Sequence, residues 1–201
     1  MLRKLNKAAG FTLAETLVAV LILLMVSAVV AEGLPAAVNA YRKAVDASNA
    51  QILLSTTVDA LRGELSTAWD IKVGVDGTTI SYQSSHTGGK SRIYIRNGQI
   101  WMQEYVKDDS APDWLADKKE YGEGKILPSE ALTKSLAGEM KVTYSAAAEV
   151  KDENGRVEYV KITGLEVKSA EDKVAAKMPD SESGPDKEVL LIRVLSGGEG
   201  A

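Results

Sequence analysis

The 201-residue chain has no cysteine, one histidine and one phenylalanine. Without cysteine there are no disulfides and no thiolate nucleophile, so a domain placed outside the cell must be held together by apolar packing. One histidine and no cysteine also exclude zinc sites of the usual ligand types. His86 lies in Ser84-Ser85-His86-Thr87-Gly88-Gly89, which reads as an exposed hairpin loop, and no Gly-x-Ser-x-Gly nucleophile elbow accompanies it. Neither a Walker pattern nor a dinucleotide glycine pattern is present, so this chain is not expected to hydrolyse ATP. These absences leave no catalytic residue, no cofactor and no metal to nominate. Proline is scarce as well, at five residues, and none falls between positions 36 and 68.

What the chain does have is concentrated at its amino terminus. Residues 11–31 carry a single charge, Glu15, and at about 1.5 Å per residue they span roughly the 30 Å hydrocarbon core of a bilayer. An ionisable group inside such a span costs about 2.5–3.5 kcal/mol on insertion scales, which makes it a functional candidate whose partner must be found. Arg3, Lys4 and Lys7 precede the span with no acidic residue among them, an asymmetry that keeps the leader cytoplasmic and sends the rest of the chain outside. Two plainer readings compete. An ordinary secretory signal would be cut near Val29-Val30-Ala31, and a simple anchor would not be cut at all. Against the first, Glu15 interrupts the apolar run near its start, and the helical pattern continues past that point.

A cut between Gly10 and Phe11 supplies the missing partner. The new α-amine of Phe11 lies four residues ahead of Glu15 on the same helix face, where amine and carboxylate compensate each other within one chain or between neighbouring helices. In register, Lys7, Gly10, Phe11, Thr12, Leu13 and Glu15 resemble the amino-terminal motif of the type IV pilin superfamily, the pilins and pseudopilins. The resemblance implies cleavage after Gly10 by a prepilin peptidase, methylation of the Phe11 amine, and extraction from the membrane into a filament in which Phe11 and Glu15 make the assembly contact. As partners it implies the peptidase, other pilin or pseudopilin subunits, the membrane and, indirectly, an assembly platform with its motor ATPase. Without the three cations of residues 1–10, the 24 basic groups fall to 21 against 28 acidic ones, a net charge of −7. That balance argues against a nucleic-acid surface, which needs a clustered basic patch.

Beyond the span, Leu54, Val58, Leu61, Leu65 and Ala68 recur at helical spacing and form one apolar stripe. A single helix over about residues 11–68 is therefore expected, roughly 85 Å if wholly helical. Gly33 and Pro35 interrupt it and mark either a kink or a boundary; related pilins carry Gly and Pro at a similar place, which favours the kink. After Trp69 the period becomes alternating. Segments 71–75 and 78–83 flank Asp76-Gly77, segments 92–96 and 99–105 flank Asn97-Gly98, and segments 142–152 and 157–168 surround Asn154-Gly155, each a hairpin signal. The second hairpin should pair Ile95 with Ile100 and Ile93 with Met102 on one face, and Tyr94 with Trp101 on the other. A last strand at 188–195 is apolar enough to be central. Segments 107–139 and 169–187 read as exposed polar loops, the first with a short helix at 130–136 capped by Ser129.

The expected fold is α+β and pilin-like: a long amino-terminal helix packed through its carboxyl-terminal half on an antiparallel sheet of about six or seven strands. The expected organisation is a leader at 1–10, a transmembrane or filament-core helix at 11–34, an amphipathic helix at 35–68, an extracytoplasmic β-rich domain at 69–195 and a tail at 196–201. Asp152-Glu153-Asn154-Gly155 lacks calcium-loop spacing and reads as a turn. Asp108, Asp109, Asp113 and Asp117 read as a solvated loop, and Trp101, Trp114 and Tyr121 as lids over a sheet edge. The function this implies is a non-enzymatic filament subunit, more consistent with a minor one, first in the cytoplasmic membrane and then on the cell surface. A membrane-tethered binding module, acting as an adhesin or a ligand-capturing tip, is the alternative.

Overall fold

The computed structural model describes residues 12–106, 120–129, 132–133, 140–178 and 189–195. Two compact units divide the chain, Met1–Val45 and Asp46–Ala201. One helix, α1 (Leu13–Ser66), enters both. Twelve short strands follow in the second unit: β1 (Trp69–Val73), β2 (Thr79–Gln83), β3 (Lys90–Arg96), β4 (Gln99–Val106), β5 (Glu120–Tyr121), β6 (Lys125–Ile126), β7 (Lys141–Thr143), β8 (Ala146–Lys151), β9 (Val157–Thr163), β10 (Glu166–Lys168), β11 (Val174–Lys177) and β12 (Val189–Arg193). Every recorded strand pairing is antiparallel. The protein thus has the α+β, pilin-like arrangement expected from the sequence.

In the first unit α1 is apolar almost all round, and its residues are exposed from Leu13 to Ala44. The helix continues through Gly33 and Pro35, so the proline does not end it, although a missing N–H removes one ladder bond there. In the second unit the same helix turns one side inward. All five residues of the sequence stripe are buried, Ala68 just beyond the helix, which ends at Ser66 and not at 68 as expected, and Ala50, Leu53 and Thr57 widen the stripe into a second column. Thr57 is tolerated because its hydroxyl donates to the Leu53 carbonyl at 2.7 Å, leaving no orphan polar group. Each large side chain removed from water here contributes about 1.5–3 kcal/mol.

The stripe shares one core with the inner faces of three sheets. In the first, strand order is β1-β2-β3-β4-β5, with β6 also on β4. The β3–β4 hairpin has the expected register, Ile95 opposite Ile100, Ile93 opposite Met102 and Tyr94 opposite Trp101. Asn97 and Gly98 take φ of 53° and 70° in its two-residue turn, the left-handed pair that matches strand twist. The β1–β2 register is centred on Asp76-Gly77 as expected, but the strands stop short, with Val73 opposite Ile80. The freed loop is used instead to dock β8: Ala147 N–H donates to the Gly77 carbonyl at 2.6 Å, and the Tyr144 hydroxyl to the Thr78 carbonyl at 2.7 Å.

The third hairpin departs most from expectation. Its pairing is centred on Asn154-Gly155, but each long arm breaks in two. β8 and β9 belong with β12 in a sheet of order β12-β9-β8, whereas β7 and β10 belong with β11 in a sheet of order β11-β10-β7. Gly164 makes the bend at φ +65°, where an added Cβ would collide with the Ser145 hydroxyl and lie 2.8 Å from the Ser145 Cβ. A count of six or seven strands was therefore too low, because bent arms are counted twice. The polar loops also contribute: β5 and β6 fall within 107–139 and β11 within 169–187. Among the described residues β12 lies at the end of its sheet, not at its centre, and Leu191 is exposed. Ser129 does cap a helical turn, its hydroxyl accepting from Leu132 N–H at 3.2 Å; the rest of the expected 130–136 helix lies outside the described residues.

Candidate assembly site at the amino-terminal helix

The helix begins with a reciprocal cap. Thr12 N–H donates to Glu15 Oε2 at 2.9 Å, the Thr12 hydroxyl donates to the same oxygen at 3.1 Å, and Glu15 N–H donates to the Thr12 hydroxyl at 3.3 Å. This is the capping box of a Thr-x-x-Glu sequence, which satisfies two of the orphan donors of a first helical turn. The signature was legible as Thr12-Leu13-Ala14-Glu15 and is the functional feature the sequence reading passed over. Glu15 is thus not an unpartnered charge: it is held over the helix start, where the macrodipole favours an anion.

Around it the surface is apolar. Ala14, Val18, Ala19 and Ile22 line a shallow groove with Glu15 on one side of the helix; the last three stand at i+3, i+4 and i+7 from Glu15, the spacing of neighbours on a face. Leu13 is 80% exposed and Val29 72%, and no residue from Leu13 to Ala44 is buried. The helix is long and apolar enough to cross a membrane. An uncovered apolar surface of that extent requires lipid or protein around it.

Residues 5–31 match the family of the prokaryotic N-terminal methylation motif. The chain carries a prepilin-type motif. It is a prepilin-type processing signal of the kind found on type IV pilins and pseudopilins, as its residues suggested. No curated protein and no solved structure matches the chain significantly. The matched residues take in Lys7 of the leader, the Gly10-Phe11 junction and the first turns of α1, including Thr12 and Glu15.

Of the expected site residues, Glu15, Gly33 and Pro35 stand exposed along α1, while Gly10 and Phe11 lie outside the described residues. The remaining candidates fall into structural roles. His86 is exposed in a turn, where its N–H donates to the Ser84 hydroxyl. Asp152 accepts from the N–H groups of Asn154 and Arg156 at 2.9 and 2.8 Å, an ordinary Asx turn. Trp101 is half-buried, with Arg96 over its ring at 5.6 Å and Gly124 packed against its edge. Trp114, the Tyr121 side chain and the aspartates at 108, 109, 113 and 117 lie outside the described residues.

Proposed function

We propose that the protein is a non-enzymatic structural subunit of a type IV pilus-like or pseudopilus filament. The observation that carries this reading is the prepilin-type motif set on a helix whose apolar surface has no cover of its own. Cleavage after Gly10 leaves Phe11 as the first residue and Thr12 as the second, so the Thr12–Glu15 cap survives processing. The membrane-resident subunit then keeps its carboxylate satisfied by Thr12, and incorporation exchanges that contact for the methylated amine of a neighbouring Phe11. Before assembly the helix lies in the cytoplasmic membrane with the leader inside and the β-rich unit outside. Gly33 and Pro35 give the helix a weak point that bends when subunits pack. The size of the β-rich unit favours a minor subunit over a minimal major one. The partners are a prepilin peptidase, further pilin or pseudopilin subunits and an assembly platform driven by a separate ATPase.

Mass spectrometry of the mature amino terminus tests the processing step: the expected species begins with N-methylated Phe11. An intact Met1, or a start at Glu32, would remove the assignment. For assembly, Glu15→Ala and Glu15→Gln should both be cleaved normally and both enter fibres poorly, because each lacks the charge. Thr12→Val should be incorporated far better than either, since it loses the cap and keeps the carboxylate. If Glu15→Gln enters fibres as well as the parent chain does, charge compensation is not the basis of assembly.

A further inference from the structure

Two Asn-Gly steps occur in the chain, Asn97-Gly98 and Asn154-Gly155, each at the tip of a hairpin. Asparagine is a chemically labile side chain, and a following glycine leaves the next backbone nitrogen unscreened by any Cβ. In access the two tips are equivalent: all four residues are exposed, and nothing lies within 4 Å of a Cβ built on either glycine. Their hydrogen bonds differ. At the second tip Gly155 N–H donates to the Asp152 carbonyl at 3.0 Å and Asn154 N–H to Asp152 Oδ1 at 2.9 Å, while Asp152 N–H donates to the Arg156 carbonyl at 2.8 Å. At the first tip Arg96 is opposite Gln99 and the loop has only two residues, so the bond that closes the turn falls on Gln99. Among the described residues the Gly98 N–H has no hydrogen-bond partner.

We propose that Asn97 is the principal site of spontaneous covalent modification in this protein, converted by deamidation to aspartate and isoaspartate. The Gly98 amide nitrogen gives its proton to solvent hydroxide and attacks the side-chain carbonyl carbon of Asn97. The new C–N bond closes a succinimide ring, the Cγ–Nδ2 bond breaks, and the departing nitrogen takes a proton from water and leaves as ammonia. Water then opens the ring at either carbonyl, giving ordinary aspartate or isoaspartate, in which the main chain runs through the side-chain carbon. Amide and water become carboxylic acid and ammonia, with no oxidant, reductant or cofactor. The Gly98 peptide can rotate towards the Asn97 side chain without breaking a bond. At Asn154 the same rotation pulls Gly155 N–H off the Asp152 carbonyl, which also holds the proton that must leave. The two products differ in effect. Aspartate tolerates the left-handed φ of 53° that Asn97 adopts. Isoaspartate lengthens the backbone inside a two-residue turn that sets the register of Ile95 with Ile100 and Ile93 with Met102. Ile93 and Ile100 are fully buried, so a slip at this tip reaches the core.

The test ages the full chain in detergent micelles at mildly alkaline pH and follows both tips by peptide mass spectrometry. Asn97 should convert about tenfold faster than Asn154, the factor that one or two hydrogen bonds command. In urea strong enough to unfold the β-rich unit, the two should convert within about twofold of each other, because the tip hydrogen bonds are gone. The Asn97 rate should rise about tenfold per pH unit, since the reacting species is the deprotonated amide. Asn97→Asp, which makes the ordinary aspartate product directly, should melt with the parent, whereas the isoaspartate fraction separated from aged parent should melt several degrees lower. Equal rates at Asn97 and Asn154 in the folded chain would overturn the assignment, and so would an Asn97 rate indifferent to pH. An isoaspartate fraction that melts with Asn97→Asp would overturn the link from the turn to the core.

Discussion

Single residues decide where this fold can turn and how its parts are tied. Glu149 is the clearest case. Its carboxylate accepts from Val73 N–H at 2.7 Å, joining the second sheet to β1, and pairs with Lys151 at 2.9 Å. Burial pushes its ionisation up, but the Lys151 pair and the Val73 bond outweigh that and hold it below the ordinary carboxylate range. A carboxylate lowered on folding stabilises above its unfolded value and loses that contribution as pH falls through the folded one. The stability gap between parent and Glu149→Gln should therefore be widest above about pH 5 and close as the solution is acidified. Thermal midpoints measured from pH 3 to 7 check it, and a gap that stays constant would mean that the charge contributes nothing. Gly164 is the geometric counterpart. At φ +65° and against Ser145, Gly164→Ala should cost about 1–3 kcal/mol in urea unfolding. Neither residue was legible in the sequence. Glu149 looks like a solvated strand charge until the sheets are assembled, and Gly164 follows no turn dipeptide.

Among elements, α1 is two helices in physical terms although its helical backbone runs through Pro35 without a break. Its carboxyl-terminal part follows ordinary amphipathic patterning, and the stripe at 54, 58, 61, 65 and 68 could be read directly because it faces one core. Its amino-terminal part has no inward face. Leu61→Ala and Leu65→Ala, at fully buried positions, should each destabilise the β-rich unit by about 2–5 kcal/mol. Leu21→Ala, on an exposed stretch of the same helix, should leave that unfolding transition unmoved and reduce fibre incorporation instead. Denaturant curves and fibre yield, measured on the same three variants, separate the two roles; a Leu21→Ala loss of stability would contradict the division. Hairpins were the second legible class of element, since Asn-Gly and Asp-Gly turns fix a register locally and period-2 burial confirms it. The sequence reading failed where pairing is non-local. Bends at 144–145 and 164–165 transfer arms between sheets, and a pattern of alternating residues is the same on either side of such a bend. β12, apolar along its length, looked central for the same reason: its hydrophobicity reports one buried face and not how many neighbours it has.

At the scale of the molecule, the two units differ in what they ask of their surroundings. In Asp46–Ala201 the helix stripe is buried in the shared core, and the exposed large apolar residues among those described, such as Ile52, Val75 and Leu191, are spread over several elements. Scattered exposure of that kind is normal for a water-soluble domain. In Met1–Val45 the described residues have no buried position other than the half-buried Val45. A chain beginning at Asp46 should consequently be soluble without detergent, unfold in one cooperative transition and bind little of a dye that reports exposed apolar surface, whereas the full chain should require detergent. The stripe is the sensitive point. If truncation left it exposed, the fragment would bind dye strongly and unfold without cooperativity, and the buried positions at 53, 61 and 65 would then owe their cover to residues ahead of 46. Adding Leu61→Ala to the soluble fragment completes the experiment. The loss of stability should match that in the full chain, because the contacts that bury Leu61 all belong to the core of the second unit.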